Sequence, residues 1–185
     1  GLASGAALTT VGGSVPPGAL RLAVSGEKLI VYGGRTASHD YIAVSSDAGA
    51  TFARVPAVST EFLVDVAVHP SGDYMISVGT DKGTVIKTDL STLTSTRIQV
   101  GGQNTRFRQV FYHSDQQLFY AFSSYGAIYT APDGENWTEF DYPSTVQSVG
   151  VAGLAPDGKI VVTDAGYDTD SFLESFAPGD DKWVK

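Results

Sequence analysis

The sequence predicts an all-β chain of about four repeated units, each a four-stranded antiparallel sheet. Three observations carry this expectation. An apolar stretch, a tight polar turn and a second apolar stretch recur near residues 20, 63, 107 and 148, a period of roughly 40–45 residues. Gly is abundant, at 21 of 185 residues, and no run has helical apolar periodicity. The inner strands of each unit are apolar at nearly every position, as strands need when both faces of their sheet are covered. Four strands per unit at this period match propeller blades. The fold class is therefore a β-propeller of about four blades, either a closed small ring or part of a larger propeller. A β-sandwich of irregular repeats is the competing reading, which strict polar–apolar alternation would favour.

The elements follow in order. Residues 1–18 are small, Gly-rich and end at Pro16-Pro17, which reads as a linker or a closing edge strand. Residues 7–12 ("ALTTVG") suit a strand pairing with the last blade. The chain opens on Gly1 and its only Met is Met75, so a trimmed or mature piece of something longer is expected. The propeller is placed at 19–185, with blades at about 19–57, 58–100, 101–142 and 143–185. The first strands are "LRLAVS", "LVDVAV", "FRQVFYH" and "SVGVAGL". A tight polar turn comes next in each unit, "HPSG", "HSDQ" and "APDG" in the last three, rich in the residues that hold tight turns. Second strands read "KLIVYGG", "YMISVGT", "QLFYAFSS" and "KIVVTDAG", and third strands "YIAVS", "GTVIKTD", "GAIYT" and "SFLESF". "TFARV", "STRIQV", "NWTEF" and "KWVK" close the units.

The turn between third and fourth strands carries the most specific motif. "VSSDAGATFARV" (44–55) and "YTAPDGENWTEF" (129–140) occupy this place in the first and third units. Ser45, Asp47, Gly49, Thr51 and Phe52 match the spacing of the Asp-box, or BNR repeat, and the sequence resembles that β-propeller superfamily of sialidase- and sortilin-like repeats. In the third unit Thr130, Gly134 and Trp137 keep register, and Asp133 sits one place late. The second unit, "KTDLSTLTSTR", has lost the Gly and the aromatic. The fourth keeps Ser175 and Gly179, with Trp183 one residue late. With the repeat, the resemblance covers residues 20–185. Asp and Ser side chains bond nearby backbone N–H groups and fix a turn, Gly supplies a conformation that a Cβ forbids, and the aromatic folds back as a plug. The resemblance implies that this box is structural, so Asp47 and Asp133 are expected to staple turns rather than act as catalytic acids.

Charge and composition exclude several classes. The formal net charge is −8, and the 12 Lys and Arg form no cluster of four, which disfavours nucleic-acid and anionic-membrane partners. With Cys absent there is no disulfide or thiolate metal site. No apolar run approaches about 18 residues, so no membrane insertion is expected. The acidic, Cys-free, Ser/Thr/Gly-rich composition suits a secreted, cell-surface or virion protein, such as part of a phage tail, stalk or adhesin.

Topology divides the loops between two ends. In a four-stranded meander the first-to-second and third-to-fourth turns share one end, which holds the staples. The other end receives "GGRTASHD" (33–40), "GTDKG" (79–83), "SSYG" (123–126), "DAGYDTDS" (164–171) and the connections between units. A rigid scaffold displaying loops puts function there. The candidate ligand residues on that face are Arg35, His39, Asp40, Tyr125 and Tyr167. Arg21, Asp65 and Gln109 align on the innermost strands, where they are expected to line the channel or satisfy each other. Asp164, Asp168 and Asp170 supply hard oxygen ligands for a Ca2+ ion, against the reading of a solvated acidic loop. No other cofactor is expected. The functional expectation is a non-catalytic binding or scaffold propeller with a glycan or protein partner, as a homodimer or as part of a longer propeller. The alternative is an Asp-box glycosidase-like enzyme, related to sialidases, or a fragment of one. Six Arg and four blades fall short of what that resemblance implies for catalysis.

Overall fold

A computed structural model of the chain describes residues 20–35, 40–56, 62–80, 82–140, 148–164 and 173–178. The first sheet comprises β1 (Leu20–Ser25), β2 (Lys28–Arg35), β3 (Asp40–Ser45) and β4 (Ala53–Arg54). The second holds β5 (Leu63–Val68), β6 (Tyr74–Gly79), β7 (Thr84–Asp89) and β8 (Ser95–Gln99). The third holds β9 (Phe107–His113), β10 (Leu118–Ser123), β11 (Ile128–Ala131) and β12 (Thr138–Glu139). The fourth holds β13 (Val149–Leu154), β14 (Ile160–Asp164) and β15 (Leu173–Phe176). Each sheet is an antiparallel meander in chain order, and among the described residues there is no helix. The expected closing strand "KWVK" and residues 1–18 lie outside the described residues.

Three apolar cores lie between successive sheets. Ile30, Tyr32, Ile42 and Val44 of the first sheet meet Val66, Met75 and Ile86 of the second. The other face of the second sheet, with Ile76, Val78 and Val85, meets Phe107, Phe119 and Tyr129. Tyr120, Phe122 and Ile128 then meet Val149, Ile160, Val162 and Phe176. Met75 and Ile76, neighbours in sequence, thus belong to different cores, because successive side chains point to opposite faces. This is why the inner strands are apolar at nearly every position.

The innermost strands are also joined by polar links. The register of the inner strand pair shifts at the same point in three sheets, leaving Val64, Arg108 and Gly150 unpaired as bulges. Asp65 and Gln109 directly follow two of these bulges. The Val110 N–H donates to Asp65 Oδ2 at 3.0 Å, and Tyr32 Oη donates to Asp65 Oδ1 at 3.0 Å. The Ala152 N–H donates to Gln109 Oε1, and Arg21 Nη1 donates to the Val64 carbonyl. Arg21, Asp65 and Gln109 sit on the innermost strands, but their polar ends cross to the next blade's main chain. A second line runs along the turn end, where Lys28 Nζ donates to the Gly72 carbonyl and His113 Nε2 to the Gly158 carbonyl. Burial of Asp65 raises its carboxyl pKa. Burial, then the Asp65 charge, pushes the Tyr32 phenol up to about 12.

The turns between third and fourth strands use two chemistries. Asp47 accepts from the Thr51 N–H (2.9 Å), the Thr51 hydroxyl (2.6 Å) and the Ser45 hydroxyl (2.7 Å). Those bonds, Thr51 hydroxyl first, hold its pKa down at about 2. Asp133 instead accepts from the N–H groups of Glu135 and Asn136 and from the Asn136 amide. Its one-place shift moves its reach from the fourth residue on to the second and third. The Asn136 N–H is the main cause that lowers its pKa to about 2. Asp89 does the same job in the second sheet, accepting from the N–H and hydroxyl groups of Ser91 and Thr92. Phe52 and Trp137 are partly buried, and Trp137 Nε1 donates to the Gly134 carbonyl.

Candidate functional site

Among the expected ligand residues, Tyr125 is placed in full. It lies in the turn after β10, at 63% exposure. Gly126, at φ +87°, makes that turn possible. The Tyr125 N–H donates to Ser123 Oγ at 3.2 Å, and both the N–H and the hydroxyl of Ser124 donate to the Arg106 carbonyl, at 2.7 and 3.0 Å. The turn is thereby bolted to the segment entering β9, and the ring of Tyr125 projects from a rigid base. The backbones of Arg35 and Asp40 pair across β2 and β3 on the same end of the sheets. His39, Tyr167, Asp168 and Asp170 lie outside the described residues, so the Ca2+ reading does too.

Beneath Tyr125 is a cleft of about 370 Å³. Its walls are Arg106, Arg108 and Ser124, with Thr80 from the end of the second sheet and Ser148 from the start of the fourth. Phe107 forms the floor, fully buried and edge-on to Tyr129 at 5.8 Å. Arg106 and Arg108 were not singled out from sequence. Their signal is the alternation Arg106-Phe107-Arg108, which sends the aromatic into the core and both guanidinium stems the other way. Arg108 is also the unpaired residue of the β9 bulge, a device that re-aims side chains at the rims of sheets. On a chain of net charge −8, two arginines lining one cleft make a local cationic spot. Around it stand three hydroxyl-bearing side chains and one exposed ring. Such a set can hold an anionic group bidentately, hydrogen-bond hydroxyls and stack on a flat face.

At the turn end of the sheets a second cleft, of about 430 Å³, is lined by Ala23, Ser25, Val66, Val68, Tyr112 and Ser114, with polar and apolar groups mixed. His69 belongs to the same end, stacked on Tyr74 at 4.7 Å with its Nδ1 on Ser71. His113 is tied to Gly158.

No family model matches the chain. No curated protein matches it at the level of sequence. Solved structures match it in fold. YCF48 bound to D1 peptide superposes with a TM-score of 0.64 at 17% identity, over 85% of this chain and 50% of that one. Virginiamycin B lyase from Staphylococcus aureus gives 0.70 at 10% identity, over 88% and 53%. Kuenenia stuttgartiensis hydrazine synthase gives 0.73 at 15% identity, over 100% and 51%. The chain spans about half the length of these structures. Identities this low speak to fold alone. Sheet order, the stacking of successive sheets and these superpositions make the chain an arc of β-propeller blades.

Proposed function

We propose that this chain is a non-catalytic binding propeller of an extracellular or virion-surface protein, recognising an acidic glycan through the cleft under Tyr125. The observation that carries the reading is the lining of that cleft: Arg106, Arg108, Thr80, Ser124 and Ser148 around an exposed Tyr125. An aromatic face suits the apolar side of a sugar ring, hydroxyls suit its hydroxyls, and a guanidinium suits a carboxylate or sulfate. These groups hold a ligand, and among the described residues lining the cleft there is no Asp or Glu to serve as the acid of glycoside hydrolysis or as the partner of a sialidase-type Tyr nucleophile. The turn held by Asp47 lies at the other end, as the resemblance to Asp-box repeats implies, and is structural in this reading. That propellers of this kind act as binding platforms is consistent with YCF48, whose structure carries a D1 peptide.

The test is a glycan array that includes uronic-acid and sulfated oligosaccharides, followed by calorimetry on any hit. Arg108→Ala and Tyr125→Ala are each expected to weaken binding at least about tenfold, as loss of an anchoring contact does, with an unchanged urea midpoint. Asp47→Asn is expected to leave the affinity of the folded protein alone. An array without hits, or preference for an acidic peptide over every glycan, overturns the glycan reading. Release of free sugar from a bound oligosaccharide overturns the non-catalytic one.

A further inference from the structure

We infer that a second copy of this chain closes the propeller, the first sheet of each copy packing against the fourth sheet of the other around a shared two-fold axis. Side-chain alternation in the two end sheets carries the argument. In β1, Arg21 and Ala23 lie opposite Tyr32 and Ile30 and face the second sheet. Leu22 and Val24 therefore point to the other face, where they are 60% and 63% exposed. In the fourth sheet, Ala152, Val162 and Phe176 face the third sheet. Val151 and Leu173, both opposite Thr163, point away from it and are 58% and 63% exposed. The two middle sheets leave no such surface, since cores cover both their faces. Among the described residues, the inner strands pack β1 on β5, β5 on β9 and β9 on β13, with no comparable packing of β13 on β1.

The polar links say what kind of surface belongs there. Asp65 and Gln109 each follow a bulge and reach across to the next blade. The residue that follows the matching bulge in β13 is Val151. The series ends on an apolar side chain, so this end is built to meet apolar side chains, and Leu22 and Val24 are apolar. The occupant must present a first-sheet face and a last-sheet face at the separation left open by this arc. The chain spans 50%, 53% and 51% of the length of three solved structures of the fold, so an occupant that adds an arc equal to this one brings the assembly to about their length. A second copy meets both conditions, and a two-fold operation makes both seams at once. The cleft under Tyr125 is lined from within the second to fourth sheets, so ligand binding and closure can fail separately.

Light scattering or sedimentation equilibrium on the whole chain should give twice the 19.4 kDa chain mass. The Leu22→Asp/Val24→Asp double variant and the Val151→Lys/Leu173→Lys double variant should each run as monomers with wild-type far-UV dichroism. Mixing these two variants should restore the dimer. One seam then keeps its native apolar faces, and the other sets Asp against Lys. A misfolded variant would not be rescued this way. A wild-type monomer at about 1 mM, where a dimer of about 1 mM Kd is substantially formed, overturns the inference. Variants that stay dimeric overturn it by placing the interface elsewhere.

Discussion

Replacing Asp65 with Ala removes the acceptor that joins the second blade to both of its neighbours. Two donors lose their partner: the Val110 N–H and the Tyr32 hydroxyl, each at 3.0 Å. A buried donor left unsatisfied costs about 1–3 kcal/mol, so the pair amounts to about 2–6 kcal/mol. Removing Asp65 also abolishes the desolvation of a half-buried carboxylate, the cause of its raised pKa, and this offsets part of the loss. The net expectation is a loss of about 2–3 kcal/mol, which a urea slope of about 2–3 kcal/mol per M converts to a midpoint drop of about 1 M. Asp65→Asn is the control. Its amide oxygen still accepts from Val110 and its NH2 can donate to the Tyr32 oxygen, so its midpoint should stay within about 0.3 M of wild type, a loss below 1 kcal/mol. The assay is equilibrium urea unfolding followed by tryptophan fluorescence. An Ala variant as stable as wild type would refute the idea that this link carries load. An Asn variant as weak as the Ala variant would show that the charge matters, not the two hydrogen bonds.

Two further outcomes follow from described geometry. Gly134 stands at φ +72°, and a Cβ there would lie 2.3 Å from Cδ1 of the fully buried Ile76 of the preceding blade. Gly134→Ala should lose about 2–4 kcal/mol in the same urea assay, from left-handed strain and overpacking together, whereas Gly26→Ala, with nothing within 4 Å of its Cβ, should lose only the strain. Stability should also fall on acidification. The pKa values of Asp47 and Asp133 are held down to about 2, and those of Asp89 and Asp157 are also lowered. Their contributions are present above the unfolded value of 3.8 and lost as pH falls toward the folded one. Asp65 has the opposite sign: its contribution is full below 3.8 and lost as pH rises through its raised value. Four groups against one give a urea midpoint that drops between about pH 4 and pH 2, and Asp47→Asn should flatten part of that drop.

What the sequence made legible was what depends on local pattern. The inner strands of all four blades fall where apolar runs and turn residues put them, because a strand in a stack of sheets has few polar positions to confuse the pattern. The closing turn of the second blade was harder to read. It lacks the Gly and the aromatic of the motif, yet Asp89 holds the turn, Leu93 takes the left-handed conformation at φ +56°, and buried Leu90 replaces the plug. A template of residue types misses such stand-ins, since several side chains can meet one geometric need. The cleft was half legible. Tyr125 was placed on the loop face by topology, but the part played by Arg108 depends on a bulge set by its register against Phe122 and Ser123. Register is a property of two strands, and no single stretch of sequence carries it.

The seams between blades have a consequence for how such a chain tolerates change. Arg21, Asp65 and Gln109 reach for Val64 O, Val110 N and Ala152 N, and Lys28 and His113 reach for the carbonyls of Gly72 and Gly158. The target of each of these five links is a main-chain group, which nearly any amino acid presents alike, proline's missing N–H aside, whereas Tyr32–Asp65 and Lys87–Glu135 join side chain to side chain. A substitution at Val64 or Ala152 therefore changes a side chain without removing the partner across the seam. One side of each main-chain link is free to drift while the other keeps its hold, and no compensating change is required of it. An arc joined in this way can move far in sequence while its blades keep the same neighbours, in keeping with superposition on solved propellers at 10–17% identity.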